Sequence, residues 1–245
     1  MNLKSYTFIS ICLIAALLSG CASDKKEYQS DAQQEYEAAK HLVNSANYGQ
    51  AAVDLEHFGS KYPYSKLASQ GELLRIFASY KDGQYILSEV LSQRFMDQHP
   101  THKSVDYAKY MLAMSQYKQR SSAEKDPTQN IAAIKSFKIL IHDHPNSSYA
   151  KQGRGRLQSL YNSLAQHELT IGKYYFDQAR FVAASNRFQQ IVEHYQTTPS
   201  IEEALFYLVA SYNNMNMKTD AKQIALLLKH NYPKSPWSIK AQELN

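Results

Sequence analysis

The chain has 245 residues, 44% of them hydrophobic, which is enough to bury a core in one or two domains. Its formal net charge is +5, with the cations scattered, which excludes a nucleic-acid binder that works through a dense basic stripe. Only 8 Gly and 7 Pro are present, so helix is expected rather than a turn-rich sheet protein.

The first segment in chain order is a leader. Lys4 gives it a positive start, and an apolar run follows from Phe8 to Leu18. Eleven helical residues span about 16 Å, roughly half of a hydrocarbon core of about 30 Å, so the run is too short to anchor by crossing. Residues 1–20 therefore read as a signal peptide. The end of this segment, Leu18-Ser19-Gly20-Cys21, is similar to the lipobox of bacterial lipoproteins. That resemblance implies cleavage before Cys21, a diacylglycerol on its sulfur and an acylated new amine. Several acyl chains anchor stably where one is marginal. The alternative is an ordinary signal peptide with a chance cysteine. Ala22 rather than aspartate follows Cys21, which in lipoproteins favours transfer to the outer membrane. Cys12 leaves with the signal, so the mature chain is expected to have neither a free thiol nor a disulfide. Its net charge falls from +5 to +4 with the loss of Lys4. Residues 21–31 read as the lipidated cysteine and a polar tether.

Prolines punctuate the rest. The stretches KYPYS (61–65), QHPTH (98–102), DHPNS (143–147) and NYPKS (231–235) share one form, and HYQTTPS (194–200) is a looser version. The aromatic positions 62, 99, 144, 195 and 232 are spaced by 37, 45, 51 and 37 residues. The shorter spacings lie near the period of about 34 residues of tetratricopeptide repeats, and the longer ones imply insertions. Proline ends the helix before it, and the Ser or Thr that follows can cap the next helix by accepting a backbone N–H.

Between these stops the apolar period is helical. Tyr36, Ala39 and Val43 share a face, as do Ala51, Leu55 and Phe58. Near the end the pattern returns with Ala204, Leu208, Ser211 and Met215, then Ala221, Ile224 and Leu228. The expected fold is all-α, a superhelical stack of about five tetratricopeptide-like helix-turn-helix units at 32–63, 65–100, 104–145, 147–199 and 200–233. Residues 32–145 form the N-terminal repeats 1–3 and 146–245 the C-terminal repeats 4–5 with a tail. A polar insert at 119–130 is expected to be a loop, and Ser147 to about Gln178 one long helix bent near Gly172. Such stacks offer concave binding surfaces rather than catalytic pockets.

Three stretches are distinctive: NYGQAAVDLEHFGSKYPYS, DQHPTHKSVDYAKYMLAM (Asp97 to Met114) and YYFDQARFVAASNRFQQIVEHY (Tyr174 to Tyr195). Together with the lipobox they resemble the BamD family, the lipoprotein subunit of the outer-membrane β-barrel assembly machine. The likeness covers nearly all of the mature chain, and HPTHxxxDYxxYM is its most specific part. The insert at 119–130 departs from the family by being shorter than the enterobacterial form. The resemblance implies a non-enzymatic scaffold that docks on the periplasmic POTRA domains of the barrel insertase BamA. It also implies recruitment of BamC and BamE and reception of the C-terminal β-signal of unfolded outer-membrane proteins by the N-terminal units. The location implied is the periplasmic face of the outer membrane. The rival class is another repeat lipoprotein, a pilotin or a cell-envelope coordination factor.

For Arg187, in SNRF, the residues alone suit a solvated helix-face charge, while the resemblance implies the BamA contact, with Asn186 beside it. Arginine fits such a role because its planar fork pairs bidentately with a carboxylate. Tyr62 and Tyr64 flank Pro63 in the region the resemblance assigns to client binding; repeat packing is the other reading, above all for Tyr62. His142 and His144 in HDHP are too few to form a metal site, and His144 stands where Tyr62 stands in another unit. The chain has no nucleotide-binding glycine loop, no Gly-x-Ser-x-Gly elbow and no HExxH; the GRGR at 153–156 lies in a helical pattern. No metal, cofactor or nucleic acid is expected, and no catalytic residue.

Overall fold

The computed structural model describes residues 28–119 and 128–244. Cys21 and most of the 119–130 insert lie outside these residues. Every regular element among the described residues is a helix, and none is long and apolar enough to cross a membrane.

The chain forms two compact units that divide after Lys118. The first holds α1 (28–44), α2 (Tyr48–Asp54), α3 (Phe58–Lys61), α4 (Ala68–Lys81), α5 (Tyr85–Gln98) and α6 (Val105–Gln119). The second holds α7 (Thr128–Asp143), α8 (Ser148–Asp177), α9 (Phe181–His194), α10 (Ile201–Asn214), α11 (Lys218–Asn231) and α12 (Pro236–Glu243). The division falls inside the expected third repeat rather than at 145, because Phe137 and Leu140 of α7 pack onto Gly153 of α8.

The expected faces are the buried ones. Ala39, Ala51, Leu55, Phe58, Ala204, Leu208, Ser211, Ala221 and Leu228 are all buried, while Tyr36, Val43, Met215 and Ile224 lie at the edges of the core. Three boundaries differ from expectation. Helix α1 begins at residue 28 rather than 32, because Ala32 is fully buried and Tyr28 packs edge-on against Tyr62 at 5.4 Å. The second helix of the first unit breaks into α2 and α3, where the Glu56 N–H bonds to the Val53 carbonyl three residues back at 2.9 Å and tightens the turn. A further helix, α12, follows the last repeat; Ser235 caps it, Pro236 starts it, and Trp237 packs on Phe206 at 5.2 Å.

Two turn types build the repeats. Between units, the carbonyl of each aromatic residue accepts an N–H from three residues on: Ser65 to Tyr62, His102 to His99, Ser147 to His144, Thr198 to Tyr195 and Ser235 to Tyr232, all at 3.0–3.1 Å. The looser fifth turn therefore has the same backbone bond as the others, although its proline sits later. Ser147 and Ser235 cap α8 and α12 by accepting the N–H of the residue two on, as expected, whereas Ser65 accepts from Leu67 without capping α4, which starts at Ala68; the His102 Nδ1 accepts from Ser104 in the same way. Thr198 instead donates its hydroxyl to the Tyr195 carbonyl at 2.7 Å.

Within units, the helix ends in a residue of left-handed φ: Ala46 (61°), Gly83 (82°), Ala179 (55°) and Asn216 (61°). The next N–H reaches back five residues, from Asn47 to Leu42, Gln84 to Ser79, Arg180 to Tyr175 and Met217 to Tyr212, at 2.8–2.9 Å. These bonds satisfy carbonyls that a helix end leaves unpaired.

Close helix approach depends on glycine at two places. A Cβ on Gly71 would lie 2.4 Å from the Phe58 ring, and one on Gly172 would lie 2.5 Å from the Phe188 ring. Helix α8 is one long helix, as expected, and runs unbroken through Gly172, which is a seat for the Phe188 ring.

Candidate functional site

The first proline turn is held by α1. Tyr62 is 5% exposed, its hydroxyl donates to Glu35 at 3.0 Å, and its ring meets Phe58 at 5.1 Å. Lys61 pairs with the same Glu35 carboxylate, and that hydrogen bond pushes the lysine up to about 12. Burial pushes the Tyr62 hydroxyl above its ordinary value. Ser65 donates to Gln29 at 3.3 Å, and the Tyr64 N–H donates to the Tyr28 hydroxyl at 3.3 Å. Tyr62 is thus a core residue, the packing role that the sequence left open for it. Tyr64, two residues on, is 89% exposed, so it alone of the pair offers its ring to solvent.

The same unit contains a cleft of about 200 Å³ that the sequence did not reveal. Arg75 lies across it and donates to the backbone oxygen and a carboxylate oxygen of Glu56, at 3.2 and 2.9 Å. Its Nε is buried with no hydrogen-bond partner among the described residues. Glu72, also in its wall, bonds to His99 at 3.0 Å. These residues come from α2–α3, α4 and α5, and no local motif joins them.

In the second unit, α8 and α9 form a hairpin about the Ala179 turn. Ala184, Phe188 and Ile191 of α9 are fully buried against α8 and α10. The adjoining stripe, Ala183, Asn186, Arg187 and Gln190, has i, i+3, i+4 and i+7 spacing and lines a cavity of about 350 Å³ with Tyr175 of α8. Arg187 gives only its Nη1, to Glu168 of α8 at 3.1 Å; its Nη2 and Nε have no partner among the described residues. The side chains of Asn186 and Gln190 and the Tyr175 hydroxyl likewise make no hydrogen bond to other described residues. The hairpin thus brings together the two expected residues, Arg187 and Asn186. Gln190 was legible in the stripe spacing. Tyr175, four residues before Ala179 as Ala183 is four after, needed the hairpin register.

Against this cavity lies a second, of about 510 Å³, lined by Ala179, Arg180, Phe181, Val182 and Met215 and sharing Ala183 and Asn186 with the first. Val182 is 66% exposed there.

Among the described residues no three potential metal ligands gather. His142 is exposed beside Asp143, and His144 serves the proline turn through its backbone.

Fold and surface define a helical-repeat protein whose conspicuous sites are exposed, polar-lined cavities. The family model that matches, over residues 28–227, is that of YfiO, described as an outer membrane lipoprotein. The outer membrane protein assembly factor BamD of Neisseria gonorrhoeae is 30% identical over 241 residues, covering 94% of this chain and 90% of that protein. BamD of Pasteurella multocida is 31% identical over 240 residues, covering 94% and 92%. BamD of Rickettsia prowazekii is 28% identical over 237 residues, covering 96% and 94%. The chain belongs to this family, the BamD outer membrane protein assembly factors.

Proposed function

We propose that the chain is a lipid-anchored, non-enzymatic scaffold on the periplasmic face of the outer membrane, where it assists assembly and insertion of β-barrel proteins. Cys21 carries the lipid. The POTRA domains of BamA dock on the C-terminal unit at Arg187 and Asn186, with BamC and BamE as accessory partners. Unfolded outer-membrane proteins present their C-terminal β-signal to the first proline turn, where Tyr64 makes the contact and Tyr62 shapes the turn from within.

The observation that carries this reading is the α8–α9 cavity. A guanidinium with two free donor groups, Nη2 and Nε, beside two uncommitted amides, suits a carboxylate brought by another protein. The names of the relatives, all outer membrane protein assembly factors, support the assignment.

The test is co-purification from solubilised outer membrane. A POTRA-bearing barrel protein is expected in the complex, and Arg187→Glu should weaken its recovery far more than Arg154→Glu. Arg154 is exposed on α8 and donates only to the Pro145 carbonyl, at 2.9 Å. Equal effects would return Arg187 to an ordinary surface charge. Depletion should leave many β-barrel proteins stalled in the periplasm, and loss of a single secretin would indicate a pilotin instead.

A further inference from the structure

We infer that the outward stripe of α7 rests on an anionic lipid surface. The inference uses the lipid-anchor reading above only to bring a membrane within reach, and it adds which face of the C-terminal unit turns to that membrane.

Counted back from the aromatic of the proline turn that follows, the positions 13, 9, 6, 5 and 2 residues earlier are exposed on α5, α7, α9 and α11 alike. They form the helix face opposite the core, so folding leaves their identity open. On α7 they are Ile131, Lys135, Lys138, Ile139 and His142. Helices α5 and α9 end the same stripe in a carboxylate bonded to a glutamine, Asp97 to Gln93 at 2.9 Å and Glu193 to Gln189 at 2.7 Å. Helix α11 has no lysine at these positions. Of the four, α7 alone combines two lysines with no acid. The Lys138 ammonium stands 5.7 Å from the Tyr161 ring, and neither lysine has a carboxylate partner among the described residues. Residues 128–167 carry 5 Lys and Arg against one acid, Asp143, which is bonded to His142 at 2.9 Å.

The chemistry favours a membrane over a protein partner. Protein interfaces are enriched in arginine and aromatic side chains and depleted of lysine, whereas each lysine near anionic headgroups adds attraction. Ile131 and Ile139 are 59% and 43% exposed and lie about 12 Å apart along the helix, with the lysines between them. Their side chains can enter the headgroup boundary while the lysine stems reach the phosphates. Two isoleucines insert only shallowly, so the stripe orients a chain that the lipid on Cys21 holds.

The test uses the full-length lipoprotein in vesicles of phosphatidylethanolamine and phosphatidylglycerol. A single fluorescent thiol label is placed by Ile131→Cys on α7 or by Ile86→Cys at the equivalent position of α5, both exposed. Relative to detergent, acrylamide quenching of the α7 label should fall about fivefold on the vesicles, and that of the α5 label should not change. Lys135→Gln with Lys138→Gln should restore the quenching. Lys151→Gln with Lys234→Gln, which removes the same charge from exposed sites of the same unit, should leave the label shielded. The inference is overturned if the α7 label stays as accessible as the α5 label, or if the two double variants act alike. It is also overturned if the label is shielded only once BamA is added, since the stripe is then a protein contact. Mass spectrometry of Cys21 keeps the anchor reading separate. A chain without lipid there would sink that reading, yet its flotation on the same vesicles still reports the stripe: Lys135→Gln with Lys138→Gln should weaken binding about thirtyfold at low salt, and no loss would overturn the inference.

Discussion

At the first proline turn of the N-terminal unit, Lys61, Tyr62 and Ser65 all commit their polar groups to α1. At the α8–α9 hairpin of the C-terminal unit, Asn186, Gln190 and part of Arg187 are left without such partners. The backbone devices are the same in both units: the left-handed cap, the three-residue bond after the aromatic, and a glycine seat for a phenylalanine ring. The charge is not. Residues 28–119 carry 9 Lys and Arg against 10 Asp and Glu, whereas 128–244 carry 13 against 8. One repeat architecture therefore supports two kinds of surface. The repeat rules govern the buried and turn positions, and the outward stripe is free to vary because it contributes little to folding.

The largest effects should show that the units share one packing rule. Phe58→Ala and Phe188→Ala each remove a ring that is 1% or less exposed, and each should cost about 3–5 kcal/mol in urea titrations. A large gap between the two would break the equivalence of the seats. Next in size is a contrast inside one helix. Gly172→Ala should lose about 1–3 kcal/mol by driving a methyl into Phe188. Gly155→Ala, with nothing within 4 Å of the added Cβ, should gain up to about 1 kcal/mol of helix propensity. A loss at both positions would refute the seat.

The left-handed turns come third. Gly83→Ala should destabilise by about 1 kcal/mol, and Ala179→Gly, at the corresponding turn of the other unit, should stabilise by less than that, both read from thermal melts. The smallest effect is alkaline. Hydrogen bonding to Glu35 holds Lys61 up to about 12, and hydrogen bonding to Glu203 raises Lys173. Burial raises the hydroxyls of Tyr62, Tyr195 and Tyr212. In every case the folded chain holds its proton more tightly than the unfolded chain. The stability these groups supply is therefore complete below about pH 10 and falls away as pH rises toward 12. Between pH 7 and about 9.5 the melting difference between Lys61→Gln and wild type should stay constant, and it should shrink above that range.

Much of this was readable in the linear chain because its signals are local. Proline, a following cap residue and a 3.6-residue apolar period are each visible within a window of a dozen positions. They place the helix pairs and the buried faces through Ala51, Leu55, Phe58, Ala204 and Leu208. The same windows missed α12, whose start lies beyond the last expected repeat, and the first turn of α1, which looked polar until Tyr28 met Tyr62. The left-handed caps were hidden as well, since two of the four use alanine, a residue that does not advertise positive φ.

For the site the balance is different. The residues alone suit a solvated charge at Arg187, and the family resemblance is what singles out Arg187 and Asn186, while the lipobox-like end of the leader points to Cys21. Which donors of Arg187 are free depends on α8, because Glu168, nineteen residues earlier, takes one edge of the guanidinium and leaves the rest. The repeat pattern leans Tyr62 toward packing more than Tyr64, but the contrast of 5% against 89% exposure is set by Glu35 and Tyr28, more than twenty residues upstream. Short-range periodicity reports where a backbone will bury a side chain; only the packing of distant helices sets which polar atoms remain unpaired for a partner.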